Sequence, residues 1–224
     1  MTISQQNNPR GHMITGQIMT GDVNVEEIIV ALESVERELF VPEIFKQVAY
    51  VDEDISIGNG RFLMEPLVFA RILKYAQIGK NETVLDVACG TGYSSAVLSK
   101  LAQKVVALEE DAELAGKAKG LLASYSNIEC VQSPLVEGVS VRAPYDVIIV
   151  EGAVEFIPQS FSDQLREGGR LLALEHVVPG KTGQAGLGKL VEYRKLNNML
   201  YRNVLHDASA PLIPAFRMPK PFMF

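Results

Sequence analysis

The chain has 224 residues, 47% of them hydrophobic and 21% charged, enough apolar material for one sizeable globular core. Its net charge of −6 and pI of about 5.2 argue against a broad nucleic-acid or acidic-membrane surface. No apolar run is long enough to span a bilayer and no charged-then-apolar leader follows Met1, so a cytoplasmic protein with Cys89 and Cys130 reduced is expected.

Residues 1–10 are polar and read as a frayed end, and Arg10 to Ile18 has apolar positions without a clear period. Asp22 or Asn24 can cap a helix whose buried face is Val25, Ile28, Ile29 and Leu32. Glu43 to Ala49 has room for one or two helical turns, and Asp52 to Arg61, with Gly58, Asn59 and Gly60, reads as a loop. Pro66 suits the first turn of a helix reaching Ala76, with Gly79 as its stop. From Glu82 onward the pattern alternates. Strands are predicted at 84–88, 104–109, 128–132, 146–151 and 170–175, and helices at 94–102, 111–123 and 158–166. Such alternation predicts a parallel sheet with helices on both faces, Tyr145 to Val150 being a strand buried on both sides. Gly168-Gly169 is read as the turn into the fifth strand, and Pro179 to Gly188 as a Gly-rich loop. Lys189 to Arg194 and Met199 to Leu205 read as an antiparallel hairpin turning at Leu196-Asn197-Asn198. Ala208 to Phe224 is Pro-rich and irregular, with Phe216, Phe222 and Phe224 packing back onto the body.

The chemistry centres on Leu85-Asp86-Val87-Ala88-Cys89-Gly90-Thr91-Gly92-Tyr93, a strand, a glycine turn and the start of a helix. Glycines admit a ligand close to the backbone, and the helix N-terminus turns free N–H groups toward it. A dinucleotide fingerprint needs a third glycine where this chain has Ser95, so pyrophosphate is poorly matched. S-adenosylmethionine suits better: it has no phosphate, and its cationic amino group can be held by Asp86 directly or through water. A ribose-binding acid is expected about 20 residues on; Glu109 closes the next strand, with Glu110 as the alternative. Glu151, at the end of the fourth strand, is a further cofactor or substrate candidate. Cys89 reads as small packing beside the cofactor, and His12, His176 and His206 lack ligand spacing, so no metal is expected.

Taken together, these stretches resemble the protein-L-isoaspartate (D-aspartate) O-methyltransferases. The similarity runs through Val35-Glu36-Arg37-Glu38-Leu39-Phe40-Val41-Pro42, the cofactor motif from Leu85 to Leu98, Ala143-Pro144-Tyr145-Asp146-Val147-Ile148, Ile157-Pro158 and Gln164 to Leu171. The resemblance implies a Rossmann-like methyltransferase fold: a mostly parallel sheet with a C-terminal antiparallel hairpin and an N-terminal helical extension. One domain, 1–224, would comprise the extension (1–78), a cofactor-binding core (79–176) and the hairpin with its tail (177–224). It also implies methyl transfer from S-adenosylmethionine, leaving S-adenosylhomocysteine, to the free carboxylate of an isoaspartyl residue in damaged protein. Thr91 and Tyr93 would then belong to the cofactor site with Gly90 and Gly92.

Two departures mark a divergent branch. The family's Ser-Gln-Pro before the early helix is Met64-Glu65-Pro66 here, and its Gly-Asp-Gly after the third strand is Ser133-Pro134-Leu135. The resemblance places Arg61, Met64 and Glu65 at the transfer site and Ser133, Pro134 and Leu135 beside the cofactor. Two ionised carboxylates about 4 Å apart at an effective dielectric of 20 repel by roughly 4 kcal/mol, so Glu65 opposes a carboxylate substrate. Glu65 escapes this conflict if it points elsewhere, is protonated, or pairs with Arg61; Arg61 could instead hold the substrate carboxylate. Two alternatives remain open: a methyltransferase of this fold for another acceptor, and a cofactor-binding protein that has lost transfer activity. Nucleic-acid amino-methylation is disfavoured because Glu151-Gly152-Ala153-Val154 stands where an Asn/Asp-Pro-Pro-aromatic motif is needed. Oligomeric state is not legible.

Overall fold

The structure, a computed structural model, describes residues 8–178 and 186–218. Its N-terminal part is built from short pieces. Helix α1 (Pro9–Met13) runs directly into a π-helical turn (Ile14–Ile18), where no period was evident in the sequence. Helix α2 (Glu26–Glu33) starts after Val25 and has no side-chain cap. Neither predicted cap is one: Asp22 has a φ of 68° and pairs with Lys74 at 2.8 Å, and Asn24 reaches the Met19 carbonyl. Two 3-10 turns follow, Arg37–Phe40 and Glu43–Val48.

The segment read as a loop is a β-hairpin. Strands β1 (Ile55–Gly58) and β2 (Arg61–Leu63) pair antiparallel in a small sheet of their own, with Asn59 and Gly60 at the tip in left-handed conformations. Helix α3 (Pro66–Ala76) then opens on Pro66, as its fixed φ favours. Its stop is Gln77, at φ 49°, rather than Gly79.

The remaining elements follow the predicted alternation: β3 (Thr83–Val87), α4 (Tyr93–Leu101), β4 (Lys104–Glu109), α5 (Ala112–Leu121), β5 (Ile128–Gln132), β6 (Tyr145–Val154), α6 (Gln159–Gln164), β7 (Leu165–Val178), β8 (Leu187–Leu196) and β9 (Met199–Asp207). They form one seven-stranded sheet in the order β5-β4-β3-β6-β7-β8-β9. The first five strands in that order are parallel, and β8 and β9 turn back as an antiparallel hairpin over Asn197 and Asn198, both left-handed. Gly168 and Gly169 lie inside β7, in the register shift between Tyr145↔Leu165 and Val147↔Arg170, rather than before it. Among the described residues no helix is long and apolar enough to cross a membrane.

Alternate strand residues serve two cores. Val84, Val105, Val147, Ile149 and Leu172 face the N-terminal segments, α3, α4 and α5. Leu85, Val106, Ile148, Val150 and Leu171 face Phe161 of α6, Leu135 and Phe216. Phe216 packs back as expected; Phe222 and Phe224 lie outside the described residues, as do residues 1–7 and most of the Pro179 to Gly188 loop.

Arg170 ties the sheet to the end of α3. Its guanidinium donates to the Ala76 carbonyl, to the Gln77 carbonyl at 2.8 Å, and to both carboxylate oxygens of Glu82 at 2.9 and 2.8 Å. It thereby satisfies carbonyls that the helix end leaves open. Replacing Arg170 by Ala orphans them together with Glu82. Arg170→Ala is expected to lower stability by about 3 kcal/mol, seen as a lower urea midpoint at unchanged slope.

Candidate active site

The ends of β3 and β4 and the body of β6 bring three carboxyl groups together; Glu151, expected at a strand end, lies inside β6, which runs on to Val154. Asp86, the penultimate residue of β3, is fully buried. One of its oxygens accepts from Ser94 and Ser95 at 2.7 and 2.5 Å, both on the first turn of α4. The other oxygen has no hydrogen-bond partner among the described residues, and nor does Oε1 of Glu151 in β6. The two carboxyls face one another. Burial pushes Asp86 up to about 6, against the pull of the two serines, and raises Glu151 well above the usual carboxylate range with help from the Asp86 charge. Two such groups side by side cannot both ionise readily, and Glu151 is the one held further toward its protonated form.

Glu109, closing β4, is the best-satisfied acid of the three. Its Oε2 accepts from the Gly90 N–H at 2.9 Å, and its Oε1 from the N–H groups of Glu110 and Asp111 at 2.9 and 3.1 Å. The fourth donor is Arg61 Nη1 at 2.7 Å, in an ion pair whose side chains are 6% and 1% exposed. Arg61 Nη2 donates to the Ala88 carbonyl, also at 2.7 Å. Of the ways left open for Glu65, pairing with Arg61 is not the one taken, since Arg61 pairs with Glu109.

The glycine turn is left-handed at Ala88, Gly90 and Gly92, which is why it needs glycine at the last two. A Cβ at position 90 would lie 2.5 Å from Ile57 Cδ1 of the hairpin, and one at 92 would lie 2.7 Å from Leu122 Cδ1. The other motif side chains face inward. Thr91 Oγ1 donates to the Phe40 carbonyl at 2.6 Å, and Tyr93 is buried against Phe40 and Phe69. Cys89 is buried, which holds its thiol protonated. Only the backbone of Thr91 and Tyr93 is left to meet a ligand. Ser133, Pro134 and Leu135 are drawn to the same corner: Ser133 N–H donates to the Glu109 carbonyl at 3.3 Å and Leu135 N–H to Glu110 Oε2 at 3.4 Å.

Of the three residues expected at the transfer site, Arg61 and Met64 line a small cavity with Glu151, while Glu65 sits beside it at the N-cap of α3. The cavity holds about 10 Å³ and is also lined by Asp54, Gly152 and residues 210–213 of the tail. A wider cleft of about 250 Å³ reaches Glu109 past Cys89, Cys130 and Gln132, but not Asp86 or either turn glycine. Glu65 belongs to an acidic group. Burial, with Asp52 and Asp54 nearby, raises it to about 7; burial likewise raises Asp54, whose Oδ1 accepts the Glu65 N–H, to about 6.

Two residues of this site escaped the sequence reading. Asp54 lay in the segment read as a loop. Arg37, in the matched N-terminal stretch, is a fully buried cation that donates to the Ala49 carbonyl at 2.7 Å and to the Met64 carbonyl at 2.6 Å. Its guanidinium lies 4.9 Å from the centre of the Tyr93 ring. It thus holds the Met64-Glu65 segment against the cofactor motif.

The family profile for protein-L-isoaspartate(D-aspartate) O-methyltransferase matches residues 7–204. The chain is similar to a protein-L-isoaspartate O-methyltransferase of Koribacter versatilis, 36% identical over 91% of this chain and 90% of the relative. It is also similar to one of Methanoculleus marisnigri, 36% identical over 73% of this chain and 76% of the relative. Among solved structures, a protein-L-isoaspartate O-methyltransferase shares the fold at a TM-score of 0.78 and 22% identity, over 91% of this chain and 65% of that one. A Plasmodium falciparum protein assigned to the same activity, in complex with S-adenosyl-L-homocysteine, matches at a TM-score of 0.76 and 18% identity, over 93% of this chain and 99% of that one. The chain belongs to the protein-L-isoaspartate(D-aspartate) O-methyltransferase family of S-adenosylmethionine-dependent methyltransferases.

Proposed function

We propose that this chain methylates the free carboxylate of isoaspartyl residues in proteins or peptides, with Asp86, Gly90, Gly92, Glu109 and Glu151 as the cofactor site. The observation that carries the reading is the meeting of three acids from β3, β4 and β6 at one glycine turn, Asp86 and Glu109 buried and Glu151 partly so, with an unpartnered oxygen on Asp86 and on Glu151 among the described residues. This donor set fits S-adenosylmethionine chemically. The unpartnered oxygens of Asp86 and Glu151 suit a cationic amino group, and Glu109 suits ribose hydroxyls. Bound there, the cofactor supplies an electrophilic methyl group on a sulfonium.

The chain's own residues then have modest work. A carboxylate acceptor is already a nucleophile, so the protein's part is orientation and exclusion of water. Arg37 fixes the backbone at Met64, and Met64, 4% exposed, offers an apolar wall where the family places a serine hydroxyl. Arg61 is engaged by Glu109 and Ala88, so it does not hold the acceptor in this conformation. The charge conflict at Glu65 is eased in two ways: the side chain lies beside the cavity, and its raised pKa leaves much of it neutral near pH 7.

A second reading, a methyltransferase of this fold for a neutral or cationic acceptor, draws on the acidic group of Asp52, Glu53, Asp54 and Glu65 around the site. Incubation with labelled S-adenosylmethionine and a matched pair of isoaspartyl and aspartyl peptides separates the two. Base-labile label on the isoaspartyl peptide alone is expected; cofactor binding without such label would reject the first reading.

The Glu65 environment sets the pH response. Isoaspartyl methylation is expected to fall as pH rises through about 7, where Glu65 ionises. Glu65→Gln should flatten that profile and raise kcat/KM above pH 7 by about tenfold or more. Stability carries the same signature. Glu65 and Asp54 hold protons in the folded chain that the unfolded chain releases at lower pH, because their folded values are raised. Resistance to urea should therefore decline as pH rises from the ordinary carboxylate range to about 7 and level off above it, with a shallower decline in Glu65→Gln.

A further inference from the structure

We propose that the β1–β2 hairpin is a displaceable plug of the nucleoside site, with Arg61 occupying the carboxylate that ribose would otherwise take. The inference rests on the cofactor site proposed above. Glu109 is the acid placed for the ribose, and its Oε1 is held by Arg61 Nη1 at 2.7 Å, while its Oε2 accepts the Gly90 N–H. A guanidinium presents N–H donors to a carboxylate much as a ribose presents two hydroxyls. On the same hairpin, Ile57 covers Gly90 so closely that a Cβ there would be 2.5 Å from its Cδ1. At the tip, Asn59 Nδ2 donates to Asp111 Oδ2 at 3.0 Å, on the N-cap of α5. Three hairpin residues thus sit on the three elements that would frame the nucleoside: the glycine turn, the ribose acid and the start of α5.

The cavity bounded by Arg61, Met64 and Glu151 holds about 10 Å³, room for about one water, and the cleft that reaches Glu109 past Cys89 and Cys130 holds about 250 Å³ without reaching Asp86 or Gly90. A pocket for a ligand of nucleoside size needs roughly 300 Å³ or more. The cofactor can enter beside Asp86 and Gly90 only after the hairpin withdraws.

The hairpin is also built to leave. Its strands have four and three residues and pair only with each other, and a two-stranded ribbon is marginally stable by itself. Gly58 and Gly60 at the turn have open space around them. Withdrawal does not strand Glu109, because the N–H groups of Gly90, Glu110 and Asp111 continue to satisfy it. The plug therefore lowers apparent cofactor affinity by the fraction of chains in which it is open, without unfolding the site beneath.

The test is calorimetric titration of S-adenosylhomocysteine into the full-length wild type, Arg61→Met and Ile57→Ala, with hydrogen exchange of the 55–63 amides measured with and without that ligand. Arg61→Met keeps an unbranched apolar stem and removes the charge; Ile57→Ala frees Gly90 and serves if the first variant fails to fold. At least tenfold tighter binding by the variants, with faster hairpin exchange in the ligand-bound wild type, is the expected result. Wild-type binding that neither variant improves, with hairpin protection unchanged or increased, would overturn the plug and leave the cofactor site standing. Absence of binding by all three proteins at millimolar ligand would overturn the cofactor site itself, and the plug with it.

Discussion

Glu109 is the point at which the chain converges. One carboxylate gathers the glycine turn through Gly90, the start of α5 through Glu110 and Asp111, and the N-terminal hairpin through Arg61. Four donors satisfy a buried carboxyl that would be costly to bury unpaired. Its neighbours Asp86 and Glu151 each keep an oxygen without a partner among the described residues, and burial raises both above the ordinary carboxylate range. The site thus holds one fully bonded acid beside a pair with oxygens to spare, and that pair is the part suited to receive a cation.

Around that centre the N-terminal segments act as structure rather than decoration. Thr91 and Tyr93, motif residues by position, direct their side chains into Phe40, Phe69 and Arg37. The motif therefore has two sides, a backbone side left for ligand and a side-chain side committed to the extension. Replacement of the family's serine by Met64 fits this division: the residue contributes its carbonyl to Arg37 and an apolar surface to the cavity.

Much of this was legible beforehand, for identifiable reasons. The strands from β3 to β6 are β-branched runs bounded by polar turns, so their period and burial coincide and their positions follow from residue type. Asp86 and Glu109 could be placed because a strand end is a position, not a contact, whereas β6 runs three residues past Glu151. The hairpin was hidden by Gly58-Asn59-Gly60, which reads as a loop, although Ile55 and Ile57 alternate before an Asn-Gly turn and do carry a hairpin signal. Arg61–Glu109 and Arg37–Met64 were out of reach, since they join residues 48 and 27 positions apart and nothing in the spacing singles out the partner. Caps failed for a local reason: Asp22 is taken by Lys74, so α2 begins without a side-chain acceptor.

Arg37 has a consequence for how the molecule assembles. Its guanidinium is fully buried, and the groups that make this tolerable come from three places: the Ala49 carbonyl, the Met64 carbonyl and the Tyr93 ring. Any one of them alone leaves the charge desolvated and poorly compensated, which is costlier than leaving it in water. The slot therefore closes only when the 3-10 turns, the start of α3 and the start of α4 arrive together. A side chain of this kind penalises half-docked states, and it makes the extension and the sheet a single cooperative unit rather than a core with an appendage.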